Sequence, residues 1–324
     1  MKNLVFVLLG MTILAGCVRK GGEPAVKPGA ARQEVGVEQQ TVTLAEARKG
    51  FVTKLVRQES AKEPIPVPPA NLFRVVHYDA PCGKLAAYIS TEKKDGKKHP
   101  AIIWITGGDS NTIDSVCWLP APADNDQSAS AFRDKGIVMM FPSLRGGNDN
   151  PGFKEGFFGE VEDVLAAAEF LSKQPDVDPE HVYLGGHSTG GTLVLLTADY
   201  PNHFRAVFSF GPVHSITRYP SQFLPFDVKN QRELELRSPF LWLATIKTPV
   251  FVFEGTNEGN IGALELMAKI SKNPMLHFYP VQRASHFSIL SPTTRYIAEQ
   301  ILADQGPATS IEFSAAELNK PFKN

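Results

Sequence analysis

Between residues 73 and 304, short apolar runs alternate with stretches in which apolar positions recur every three or four residues. The runs predict strands near Phe73 to Tyr78, Leu85 to Ser90, Ala101 to Thr106, Ile137 to Phe141, His181 to Leu184, Ala206 to Phe210, Val250 to Glu254 and Leu276 to Pro280. The periodic stretches predict helices near Glu155 to Gln174, Thr189 to Tyr200, Asn260 to Lys272 and Thr293 to Asp304. Several runs are almost unbroken Val, Ile and Phe, a pattern that suits strands covered on both faces of a sheet. Strand and helix in alternation therefore predict an α/β fold: one domain, a mostly parallel central sheet and helices on both faces. Upstream, Thr43-Leu44-Ala45-Glu46 has the spacing of a capping box, whose hydroxyl and carboxylate satisfy the bare amides of a helix start, and it predicts a helix to about Gln58. Pro64, Pro66, Pro68 and Pro69 then impose an extended linker. The connection from Gly211 to Thr248 is long for a compact domain and reads either as a small cap over a site or as a surface helix with loops.

A chain of 324 residues with 43% hydrophobic content can bury a full core. Its formal charge of -1, with both signs interspersed, offers no long-range field to a phosphate backbone, so nucleic acid is not an expected partner. The first residues add a targeting signal. Met1-Lys2-Asn3 precedes an apolar run from Leu4 to Leu14, too short to span a bilayer permanently, and Ala15-Gly16 leads to Cys17. Leu14-Ala15-Gly16-Cys17 resembles the bacterial lipoprotein signal. The resemblance implies removal of residues 1–16, lipidation of Cys17 and a lipid anchor in the cell envelope; Val18, where an Asp would retain the chain on the inner membrane, implies the outer membrane facing the periplasm. Residues 17–42, rich in Gly, Pro, Gln and charge, read as a flexible tether, 43–70 as the helix and linker, 71–306 as the main domain and 307–324 as a C-terminal tail. In an oxidising compartment Cys82 and Cys117 either pair as a disulfide or serve as two unrelated small apolar residues.

One segment carries nucleophile chemistry. Gly186-His187-Ser188-Thr189-Gly190 is weak evidence as a pentapeptide, but it is entered from the strand-like His181-Val182-Tyr183-Leu184 and left through the helical Gly191-Thr192-Leu193-Val194-Leu195-Leu196. That context holds a serine on a sharp strand-to-helix turn with its hydroxyl above the sheet, and Ser188 is the expected nucleophile. An alcohol needs a base within hydrogen-bond reach and a carboxylate to orient the base. Glu258, on the loop after the strand from Val250, is the expected acid, with Glu254 as competitor. His286 follows the last strand in a loop before the last helix and is the expected base. The Thr189 amide and the bare backbone of Gly107 or Gly108 are the expected oxyanion donors. Phe157, Phe158, Trp118, Phe223 and Phe226 read either as the lining of an apolar acyl pocket or as core. The scheme requires neither a metal nor an organic cofactor.

Four segments together resemble the α/β-hydrolase superfamily, in particular its prolyl oligopeptidase-like and dienelactone hydrolase-like branches, from about Pro100 to Ala303. They are Phe141-Pro142-Ser143-Leu144-Arg145-Gly146-Gly147; Glu162-Asp163-Val164 with Phe170-Leu171 and Val177-Asp178-Pro179; the serine turn; and Ser238-Pro239 leading to Ile246-Lys247-Thr248-Pro249. Arg145, Asp163 and Asp178 are read as shaping loops and helix ends, without a catalytic part. The resemblance implies hydrolysis of a small ester or short peptide through an acyl-enzyme. The acid, however, is a Glu where the family usually has Asp, and upstream of the core the sequence reads only as tether, helix and linker, with no β-propeller, so peptidase activity does not follow from the resemblance alone. Acyl transfer on the same site and a non-catalytic envelope-binding module are the competing functions.

Overall fold

The structure is a computed structural model and describes residues 39–323. The expected lipoprotein signal, Cys17 and nearly all of the expected tether lie outside the described residues. The centre is one sheet of eight strands: β1 (Phe73–Ala80), β2 (Gly83–Ser90), β3 (His99–Ile105), β4 (Val138–Pro142), β5 (Val177–His187), β6 (Val207–Phe210), β7 (Val250–Asn257) and β8 (Leu276–Ser285). Their order is β1-β2-β4-β3-β5-β6-β7-β8. β2 pairs antiparallel with β1 and with β4, and every later pairing is parallel.

The sheet is covered on both faces because its central strands are apolar on both. On β3, Ala101, Ile103 and Ile105 enter one core, and Ile102 and Trp104 the other. The first core is closed by α3 (Glu160–Ser172), α4 (Thr189–Thr197) and α6 (Ile261–Ile270). The second is closed by α2 (Ser130–Asp134), α7 (Leu290–Ala303) and the C-terminal segment that contains α8 (Ala315–Asn319). Residues 307–323 are thus no loose tail: Ile311, Phe313 and Leu318 are buried in the second core.

Two expectations change, and one open alternative is decided. The capping box forms, with Thr43 Oγ1 accepting from the Glu46 amide at 3.2 Å and Glu46 accepting from the Thr43 amide at 2.9 Å, but α1 covers only Leu44–Arg48. Beyond it the backbone finds tertiary partners: Leu55 bridges Phe226, the amides of Val56 and Arg57 donate to Pro225 O, and that of Ala61 donates to Gly146 O. The helix expected from Glu155 begins at Glu160. Its carboxylate accepts from the amides of Glu155, Gly156 and Phe158 and curls residues 155–159 into a loop, with Phe157 at φ 71°. The disulfide does not exist: both cysteines are free, Cys82 packing against the first core and Cys117 buried in the second, on opposite faces of the sheet.

The 211–248 connection carries α5 (Gln231–Glu235) between short 3-10 turns and has its own cluster of Ile216, Leu224 and Phe226. It lies beside the N-terminal arm, and its Tyr219, Phe223 and Leu224 share a cleft with Ile105 at the end of β3.

Candidate active site

β5 ends at His187 and α4 begins at Thr189, leaving Ser188 alone on the turn at φ 56°, ψ -111°. A non-glycine residue holds such a conformation only where its surroundings over-determine it. Here the Ser188 amide donates to Phe210 O at 2.8 Å and its carbonyl accepts from the Thr192 amide at 2.9 Å. The turn is tight enough that a Cβ at Gly190 would collide with the carbonyl of Ile105 on β3. Ser188 is half-buried at the carboxyl edge of the sheet, beside the point where strand order reverses, the usual ligand position in open α/β sheets.

β8 carries the chain to Ser285 and presents His286 directly after it. Its Nδ1 lies 2.9 Å from Oε2 of Glu254, whose side chain is fully buried, while the His286 side chain keeps 12% exposure. Glu254, not Glu258, is therefore the carboxylate on the histidine. Glu258 lies on an exposed turn at φ 72°, and no hydrogen bond joins it to His286 among the described residues. The reason is strand length: β7 continues to Asn257, so Glu254 is an inward strand residue rather than the last position before a loop. Its oxygens also accept from the amides of Gly255 (2.8 Å) and Asn260 (3.2 Å), which compensate a buried charge. Gly211, at φ 56°, passes so close that a Cβ would strike the His286 ring and sit 2.6 Å from the carboxylate.

Thr189 is the first residue of α4, so its amide is among those a helix leaves without an internal acceptor. Its hydroxyl donates to Gly108 O at 2.6 Å and ties the glycine loop to the turn. The Gly107 amide donates to Oε1 of Gln127 at 3.3 Å, a residue absent from the sequence expectations.

Two clefts flank the serine turn. One, of about 490 Å³, is walled by Ile105, Leu144, Phe157, Leu193, Tyr219 and Phe223, with Thr189 and Gly108 at its mouth. The other, of about 930 Å³, reaches Ser188, His187, Gln127, Val116 and Phe287. Of the aromatics expected in an acyl pocket, Phe157 and Phe223 line the first cleft. Trp118 packs edge-on against Tyr88, and Phe158 and Phe226 lie under Arg48 and Arg237. Tyr219, from the long 211–248 connection, also lines the first cleft, stacked 5.4 Å from Phe157 and hydrogen-bonded to Thr192 on α4. Arg145 and Asp163 shape loops as expected: the guanidinium binds Asp163 and Glu155 and braces the 155–159 loop.

A doubly covered sheet in this order, with a serine elbow after β5 and the later acid and histidine at its carboxyl edge, defines the α/β-hydrolase class. Within that class residues 124–299 match the model of the prolyl oligopeptidase family, and the chain belongs to that family. The uncharacterized peptidase YtmA of Bacillus subtilis is 28% identical over 159 residues, which are 45% of this chain and 62% of that one. Acylaminoacyl peptidase of Pyrococcus horikoshii shares the fold at 15% identity and TM-score 0.55 over 76% of this chain and 43% of its own. A thermophilic esterase from the planctomycete Thermogutta terrifontis shares it at 20% identity and TM-score 0.53 over 76% and 98%. The chain thus spans less than two thirds of YtmA and under half of the acylaminoacyl peptidase.

Proposed function

We propose that the chain hydrolyses carboxylic esters, and more slowly short amides, through an acyl-enzyme on Ser188, with His286 as general base and Glu254 as its orienting acid. The contact between His286 and the buried Glu254 carries this reading, because a carboxylate on Nδ1 leaves Nε2 as the proton acceptor. Nε2 takes the Ser188 proton as Oγ bonds to the carbonyl carbon. The resulting oxyanion lies toward the Thr189 amide and the 107–108 loop, and collapse expels the alcohol or amine, which receives the proton. Water repeats the sequence and releases the acid. The cleft walled by Phe157, Leu193 and Tyr219 suits an apolar acyl group.

Membership of a peptidase family favours short peptides as the second substrate class. Turnover of p-nitrophenyl esters of graded chain length, beside short peptide amides, separates the two. Wild type must exceed Ser188→Ala, and a fluorophosphonate must label Ser188; absence of both ends the proposal. We also read Cys17 as the lipid anchor, placing the enzyme on the envelope membrane. Radiolabelled palmitate entering wild type but not Cys17→Ser is the expected result, and equal labelling of the two would refute it.

A further inference from the structure

The residue before the nucleophile is a histidine with no part in the chemistry above. His187 is completely buried, yet both ring nitrogens have partners. Nε2 lies 2.9 Å from the backbone oxygen of His286, and Nδ1 lies 3.1 Å from Oε1 of Gln127. The two imidazoles lie 4.5 Å apart, centroid to centroid. Gln127 reaches further: Oε1 accepts from the Gly107 amide, and its own backbone oxygen accepts from the Trp104 indole at 2.9 Å. One polar chain therefore runs from the glycine loop beside the oxyanion position, through Gln127 and His187, to the backbone of the base.

We propose that His187 is a positioning residue for the hydrolysis: Nε2–H donates to the His286 carbonyl and holds the base loop over Ser188, while Gln127 orients the His187 ring. The inference rests on the Ser188 and His286 reading above. Its force comes from what else restrains His286. Glu254 fixes the ring at Nδ1, but that bond is a pivot, and Phe287 next to it is exposed. A donor on the His286 backbone supplies a second point, and two points stop the rotation that would carry Nε2 away from Oγ. Burial and the neighbouring His286 push the His187 pKa down to about 3, so at neutral pH the ring holds a single proton. With that proton on Nε2, the nearer of the two contacts, Nδ1 needs a donor, which the Gln127 carboxamide provides by turning its NH2 inward. The same turn takes Oε1 from the Gly107 amide and exchanges the bond that Gln127 Nε2 donates to Asn125 Oδ1 at 3.0 Å.

The test uses three variants of the full chain on a p-nitrophenyl ester. His187→Leu removes the donor and should lower kcat about 10- to 100-fold with KM within about threefold, the size expected for a base misplaced by a fraction of an ångström or more. His187→Gln places an amide N–H near the former Nε2 and should recover kcat to within about threefold of wild type. Gln127→Leu should lower kcat less than His187→Leu does, and the double variant should be no slower than His187→Leu alone, because both act through one contact. Rates are scaled to the fraction of sites that a fluorophosphonate titrates, so loss of folded protein does not count as loss of kcat. A wild type that turns over while His187→Leu keeps full kcat per titrated site overturns the proposal, as does a His187→Gln variant no better than Leu. Full additivity of the double variant removes Gln127 from it. A wild type with neither turnover nor labelling sinks the hydrolase site itself, an outcome distinct from the others.

Discussion

Glu254 and Glu258 lie on one segment, four positions apart in number, and only the first meets the base. The difference is exposure: a carboxylate in water is screened and mobile, whereas one buried at the end of an apolar strand has its direction fixed by packing. Glu254→Gln should therefore lower kcat by roughly 10³- to 10⁴-fold, as expected when the carboxylate behind a catalytic histidine is lost, while Glu258→Gln should stay within about twofold. Steady-state ester hydrolysis decides between them, and the reverse ranking would return the acid to Glu258. His187 also has a stability consequence. Its folded pKa of about 3 lies below that of an exposed histidine, near 6.5, so between these values the unfolded chain binds a proton that the folded chain refuses. The penalty is absent above about pH 6.5 and grows as pH falls toward 3. Melting temperature measured across that window should fall less steeply for His187→Gln than for wild type, and parallel curves would contradict the assignment.

At the scale of elements, the N-terminal arm braces the 155–159 loop, whose Phe157 walls the first cleft. Arg48, at the end of α1, is buried and donates to the carbonyls of Phe157 (2.7 Å), Phe158 (2.8 Å) and Leu236 (2.7 Å), with its guanidinium 4.5 Å over the Phe158 ring. The carbonyls of Phe157 and Phe158 have turned inward because their loop is curled around Glu160, so the arm satisfies what the loop leaves bare. Arg48→Met leaves several carbonyls unpaired and should destabilise the protein by about 3 kcal/mol in urea unfolding. Because Phe157 walls the cleft, the same variant should raise KM for a long-chain ester more than for an acetate. An unchanged ratio would mean that the arm braces the fold without shaping the cleft.

For the whole molecule, the C-terminal segment completes the second core. Phe313 packs among Phe251, Phe253, Tyr279 and Tyr296, with centroids 5.1 to 5.8 Å away. Asp304, fully buried and paired with Arg205, turns the chain into that position, and its bonds to Arg205, Tyr183 and Ser310 hold its carboxyl below the usual range against the opposing effect of burial. Phe313→Ala should cost about 3 to 5 kcal/mol by chemical denaturation, the range for removing a large buried aromatic. A loss under 1 kcal/mol would place the segment outside the cooperative unit.

The sequence by itself determined the sheet, its covering helices, the serine elbow and the histidine that follows the last strand. Each of these is written in local pattern: unbroken Val and Ile runs, a period near 3.6, and small residues where backbone must pass backbone. It also held the capping box at Thr43 to the residue. What the tertiary structure decided was where segments distant in sequence meet. Whether β7 stops before or after Glu254 depends on pairing with β8, to which Asn257 is still joined through Ser285. Whether Cys82 meets Cys117 depends on the sides of the sheet they occupy. The helix past Arg48 gives way to an arm because its amides gain partners at Pro225 and Gly146. His187 looked like one letter of a pentapeptide until Gln127, 60 residues before it, and His286, 99 residues after it, closed on its ring. Local propensity cannot encode such meetings, since their energy comes from groups that become neighbours only when the chain is folded.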